Sequence, residues 1–156
     1  MIEKNMLSQI STHRFLYENS VSYQGHLIIP FLLKKLEVEQ IYSYTLLSDL
    51  GYKGQFHKVD NPAQVYSNSV LNIIELAKQH LEIYSDINTK LDYFKNRYTY
   101  DNNLIIIHEQ VGKYFYDHYS PEQLNNIAAP KLFKSESDCI NWVKTGLEIN
   151  YVERID

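Results

Sequence analysis

Tyr23-Gln24-Gly25-His26-Leu27-Ile28-Ile29 and Tyr100-Asp101-Asn102-Asn103-Leu104-Ile105-Ile106 share the pattern Y-x-x-x-L-I-I, an echo that points to a repeated architecture. In each, a tyrosine leads through turn-forming residues into a run of large aliphatics, the signature of two strands joined tightly. Further along, Tyr42-Ser43-Tyr44 with Ser48 is answered by Tyr114-Phe115-Tyr116 with Ser120 at the same spacing. A third pair of windows, 73–83 and 139–149, is identical at five of eleven positions, and Pro62 and Pro130 stand ahead of them. Features recurring in one order mark a duplicated unit.

Within each unit the periodicity changes from two to 3.6. Val70, Ile73, Ile74, Ala77 and Leu81 form one apolar helical stripe, and Cys139, Ile140, Val143 and Leu147 repeat it. Ser69 with Asn72, and Ser135 with Glu136 and Asp138, supply helix starts, because a serine hydroxyl can accept a free first-turn N–H. Residues 104–108 and 113–119 around Val111-Gly112 read as a hairpin, and residues 36–40 turn the matching hairpin of the first half. Residues 14–23 and 93–100 are expected to add one strand to each unit. Pro30 interrupts a strand and implies an edge, a bulge or a break, since proline donates no ladder hydrogen bond.

The expected fold class is therefore α+β: two similar strand-strand-strand-helix halves, about 12–84 and 91–150, packed as one pseudo-symmetric domain over residues 1–156. A meander of 50 to 60 residues with one helix buries too little apolar surface to be stable alone, so roughly equal halves should cover each other. Residues 82–91 join them.

The bulk numbers narrow the function classes. The chain has 156 residues, 44% of them hydrophobic and 22% charged, which suits one ordinary globular domain. A net charge of −4 disfavours nucleic acid as a general partner, because phosphate binding needs clustered cations. Cys139 is the only cysteine, so no internal disulfide forms, and a cytoplasmic setting is the natural expectation. The longest apolar run, residues 27–33, contains Pro30 and falls far short of a membrane span, so no membrane is expected. Fourteen tyrosines stand against six phenylalanines and one tryptophan. Tyrosine suits both strands and binding surfaces.

The first half carries about six extra residues between its last strand and its helix, and additions to a repeated unit emerge as surface loops. The added stretch is Gly51-Tyr52-Lys53-Gly54-Gln55-Phe56-His57-Lys58. Its glycines, with Tyr52, Lys53, His57 and Lys58, suit anion or nucleic-acid binding, with Lys34, Lys35, Lys131 and Lys134 as further cations. The opposing reading tucks Phe56 into the core and leaves the lysines solvated. In 114–119, alternation puts Tyr114, Tyr116 and His118 on one face and Asp117 on the other, so Asp117 and His118 cannot pair. Tyr44, Tyr116 and His118 are the residues of a pocket reading, with His118 as general base. Histidine spacing such as H-E-x-x-H and nucleophile motifs such as G-x-S-x-G are absent, so no metal, no cofactor and no recognised catalytic set is expected. Trp142 lies beside the second stripe, either core or an anchor for a partner.

The leading expectation is a small non-enzymatic module, bacterial in its economy, that binds a protein partner or itself. The alternatives are a small-molecule-binding or hydrolytic enzyme with a pocket between the halves, and a reader of nucleic acid or anions through 51–58.

Overall fold

A computed structural model describes residues 13–86 and 92–155, with side chains through 148. Two antiparallel three-stranded sheets, each followed by a helix, make two similar halves of a mixed α+β chain. The first comprises β1 (Val21–Tyr23), β2 (His26–Lys35), β3 (Gln40–Ser48) and helix α1 (Val70–Tyr84). The second comprises β4 (Arg97–Tyr100), β5 (Asn103–Gln110), β6 (Lys113–Tyr119) and helix α2 (Glu136–Ile155).

Register makes the duplication explicit. Tyr23 pairs with His26 and Tyr100 with Asn103, across two-residue turns whose residues have positive φ: Gln24 (46°) and Gly25 (73°), Asp101 (51°) and Asn102 (63°). Such turns match the right-handed twist of the strands they join. Pro30 faces Tyr44 as Ile107 faces Tyr116, and Tyr42 bridges Ser67 as Tyr114 bridges Phe133. The Ser69 hydroxyl accepts from Asn72 N–H at 3.3 Å, and the Ser135 hydroxyl from Asp138 N–H at 3.1 Å. The helices are thus offset by 66 residues, which equates Ala63 with Ala129; Pro62 and Pro130 are not equivalent positions.

Strand alternation sorts the apolar residues into three layers. Leu27, Ile29 and Leu47 of the first sheet meet Leu104, Ile106 and Tyr119 of the second in one core, joined by Tyr17 and Phe94. On the opposite face of the first sheet, Ile28, Tyr44 and Leu46 pack under Ile73, Ile74, Ala77 and Leu81 of α1. Ile105, Ile107 and Tyr116 pack likewise under Cys139 and Val143 of α2. The order is helix, sheet, sheet, helix: the sheets cover each other, and each helix covers its own sheet from outside.

Pro30 sits within the central strand of its sheet, at a buried position. It is tolerated because Tyr44, its partner on β3, points its carbonyl away to the Asn61 N–H (2.9 Å), making Pro30 and Tyr44 a pair without mutual hydrogen bonds. The side on which an N–H is missing lies beyond the end of β1, and there the Pro30 carbonyl accepts from Leu16 N–H at 2.9 Å.

The segments expected to be full strands are shorter. In residues 14–23 only Val21–Tyr23 pair as a strand; Phe15 makes one bridge to Phe31 and Tyr17–Asn19 form a 3-10 turn. That turn drives Tyr17 into the inter-sheet core, where its hydroxyl donates to the Ser120 carbonyl at 2.6 Å. In 93–100 only Arg97–Tyr100 are strand, because Phe94 turns into the same core. Arg97 then spans the halves, donating to the Ser20 carbonyl at 3.0 Å and the Ser20 hydroxyl at 3.2 Å. The join at 82–91 lies partly outside the described residues.

Candidate functional site

In both halves the chain leaves the third strand, runs back along its free edge, and then enters the helix. In the second half this strap, residues 126–133, is held by Ile127 N–H to the His118 carbonyl (2.8 Å) and by a Tyr114–Phe133 exchange at 2.7 and 2.9 Å. Covering an edge strand in this way blocks strand-to-strand association. It also builds a groove between strap, β6 and α2, with a cavity of about 230 Å³ lined by Tyr116, His118, Ala129, Trp142 and Gly146. A wider hollow of about 470 Å³ lies against Phe115, Lys131 and Leu132, and shares Tyr116 and Ala129 with the first.

The polar groups of the groove are fixed by their neighbours. Asn103 gives its amide hydrogens to the Tyr100 (3.3 Å) and Asp101 (2.9 Å) carbonyls, leaving its oxygen to accept from His118 Nε2–H at 2.9 Å. That assigns the Nε2-protonated tautomer. Burial lowers the His118 pKa, so the ring is neutral near pH 7 and its Nδ1 is an acceptor with no partner among the described residues. The Tyr116 hydroxyl accepts from Ala129 N–H at 3.0 Å and keeps its own proton to donate. Around the rim, Ile127 (57%), Leu132 (62%) and Trp142 (44%) expose large apolar surfaces, and the Lys131 ammonium lies 4.0 Å from the Trp142 ring centroid.

The matching groove of the first half is filled. Phe56 enters it from the longer loop, with its ring 5.8 Å from His26 and 5.4 Å from His80, packed against the Tyr44, Leu46 and Leu81 core. Register equates His26 with Asn103, Leu46 with His118, Leu76 with Trp142, and His80 with Gly146. The second half has a glycine where the first has the ring that backs Phe56. Its own chain after β6 sends Leu124 into the inter-sheet core instead.

Loop 51–58 therefore serves the first half's packing. A Cβ on Gly54 would lie 1.9 Å from the Ser48 hydroxyl oxygen, so the close approach requires glycine, and Gly51 has φ of 59°. His57 Nδ1 accepts Ser48 N–H at 3.1 Å, and its pKa is lowered by burial, with Lys58 and His26 adding to the effect. The backbone N–H groups of Lys53, Gly54 and Lys58 go to the Leu50, Gly51 and Leu46 carbonyls. Tyr52, Lys53 and Lys58 face solvent. Lys34 and Lys35 lie at the β2–β3 turn, the opposite end of that hairpin from Ser48, so they do not extend a basic patch from loop 51–58.

Tyr44, Tyr116 and His118, expected to line one pocket between the halves, do not come together among the described residues. Tyr44 belongs to the α1 side, Tyr116 and His118 line the α2 side, and the two sheets lie between them. Tyr116 and His118 do come together as alternation requires, while Asp117 points the other way.

On that inner side, sequence reasoning missed a second constellation. Asp117 accepts from His108 Nε2 at 2.9 Å and from the Asn126 amide at 2.8 Å, and the His108 ring stacks on Tyr93 with centroids 4.4 Å apart. Burial, with Asp117 next, pushes the Tyr93 hydroxyl up to about 12. The signal was available: with the turn fixed at Val111-Gly112, His108 and Asp117 fall diagonally on one sheet face. Among the described residues no serine, threonine or cysteine is hydrogen-bonded to His108, and the His108–Asp117–Asn126 group ties β5 and β6 to the strap. No described helix is long and apolar enough to cross a membrane. No protein-family model, curated protein or solved structure matches this chain, so the site is argued from its geometry alone.

Proposed function

We propose that this chain is a non-enzymatic interaction module, cytoplasmic in setting, that holds a protein partner along the strap 126–133 and helix α2. The observation that carries this reading is the exposed apolar rim of Ile127, Leu132 and Trp142 around two adjoining hollows. Exposed apolar clusters with a tryptophan beside concave surface are typical binding sites, since Trp in a pocket rim supplies much of a complex's energy. Lys131 adds a cation that pairs with no carboxylate among the described residues. The test is affinity selection of displayed random dodecapeptides on the immobilised chain, counter-selected on an Ile127→Asp/Leu132→Asp variant of unchanged thermal stability. Peptides that bind the native chain and not the variant support the reading; no enrichment at all removes it.

A second reading, a small-molecule site, draws on His118, a neutral ring with an unpaired Nδ1 lining a cavity. The part around His118, about 230 Å³, falls below the roughly 300–1,000 Å³ usual for drug-sized ligands and matches a single side chain; only with the adjoining hollow of about 470 Å³ does the groove reach that range. A binder from a fragment library that outcompetes every selected peptide would reverse this preference.

A further inference from the structure

We infer that the second-half groove receives an aromatic side chain from a separate peptide segment that carries a carboxylate beside it. This rests on the interaction-module reading and names its ligand. Two equivalent grooves were built by one repeated unit, and the first shows what fits: a phenylalanine, delivered by a loop, wedged over the sheet and under the helix. The second has the same walls at Tyr116 and Leu147 as the first at Tyr44 and Leu81, with Val143 in the place of Ala77; it lacks the delivering loop, and Gly146 replaces His80. Its cavity of about 230 Å³ is of single-ring size.

The lining suits an aromatic guest that is more polar than Phe56. Trp142 offers a ring edge or face, the His118 Nδ1 accepts, and the Tyr116 hydroxyl donates, so tyrosine fits as well as phenylalanine. At the rim, Lys131 meets the Trp142 and Phe133 ring faces, at 4.0 and 5.6 Å, and no carboxylate among the described residues. A carboxylate next to the aromatic residue complements that charge. Residues 1–12 and 87–91 contain no aromatic residue, so neither segment supplies a ring.

Trp142 is the only tryptophan, so its emission reports occupancy directly. Random dodecapeptides selected on the native chain should converge on Phe, Tyr or Trp with Asp or Glu within two residues. Binding should change Trp142 emission. Gly146→Phe should weaken it about tenfold or more by plugging the groove, and Lys131→Glu should weaken it as well. Gly146→Ala adds a Cβ that meets nothing within 4 Å and should bind normally. As a sequence-free probe, 4-methylphenol should shift Trp142 emission in the native chain and not in Gly146→Phe. Selected peptides without an aromatic position, or binding untouched by Gly146→Phe yet lost in Ile127→Asp/Leu132→Asp, would overturn this inference and leave the module reading standing. No selected peptide would sink both. Self-association abolished by Tyr52→Ala would show that a second copy is the guest and overturn the separate peptide.

Discussion

Replacing Phe56 by alanine tests the claim that the first groove is plugged from within. A fully buried Phe→Ala change costs about 3–5 kcal/mol. Phe56 is partly buried between His26 and His80, so about 2–3 kcal/mol is expected, or about 5–10 °C in Tm for a chain of this size. Urea and thermal unfolding followed by far-UV circular dichroism measure both. The vacated space should then take a ring from solution. In a Gly146→Phe background, where the second groove is closed, 4-methylphenol at ten times its dissociation constant should return about 1.4 kcal/mol to Phe56→Ala. It should do nothing for the same background with Phe56 intact. A loss below about 1 kcal/mol, or no rescue, would mean that Phe56 merely rests on the surface and that the comparison between grooves is empty.

Three further outcomes follow from burial and backbone geometry. His26 and His118 are buried with pKa values lowered by desolvation; below about pH 6.5 the unfolded chain binds protons that the native chain refuses. Stability should be complete above that pH and fall as pH drops, by up to about 1.4 kcal/mol per unit for each ring, in urea unfolding at pH 7.5, 6 and 5; a flat profile would contradict the burial. Burial pushes the Cys139 thiol up to about 11, so Ellman's reagent at pH 8 should leave it untouched in the native chain and react in concentrated guanidinium. Val111 holds φ of 52° at a hairpin tip with 95% of its surface exposed, so Val111→Asn should stabilise by about 0.5–1 kcal/mol in the same urea assay.

The sheets, the helices and their caps were legible because local signals agreed: turn residues at Gln24-Gly25 and Val111-Gly112, stripes at 3.6 spacing, and serines at 69 and 135. Strand ends were legible only in part. Tyr17 and Phe94 look like strand residues by propensity, but tertiary packing takes them into the inter-sheet core and bends the backbone around them. The site was half visible. Tyr116 and His118 share a face by alternation alone, and six extra residues flagged 51–58 as different. Both readings of that loop, a ligand-binding loop and one that tucks Phe56 into the core, were open in the sequence, and the packing of Phe56 against His26 and His80 favours the second. Gly146 already stands opposite His80 when windows 73–83 and 139–149 are aligned, but a glycine within a helix gains its meaning only once Phe56 is seen packed against His80.

Both grooves, the plugged and the open, exist only if the two sheets face each other with the helices outside. Methyl-selective NMR on Ile, Leu and Val-labelled protein examines that order directly. Cross-peaks between the methyls of Leu27 or Ile29 and those of Leu104 or Ile106 are predicted, together with Ile28 to Ile73 or Ile74, and Ile105 or Ile107 to Val143. Contacts from Ile28 to the α2 methyls, or silence between Ile29 and the Leu104–Ile106 pair, would contradict it.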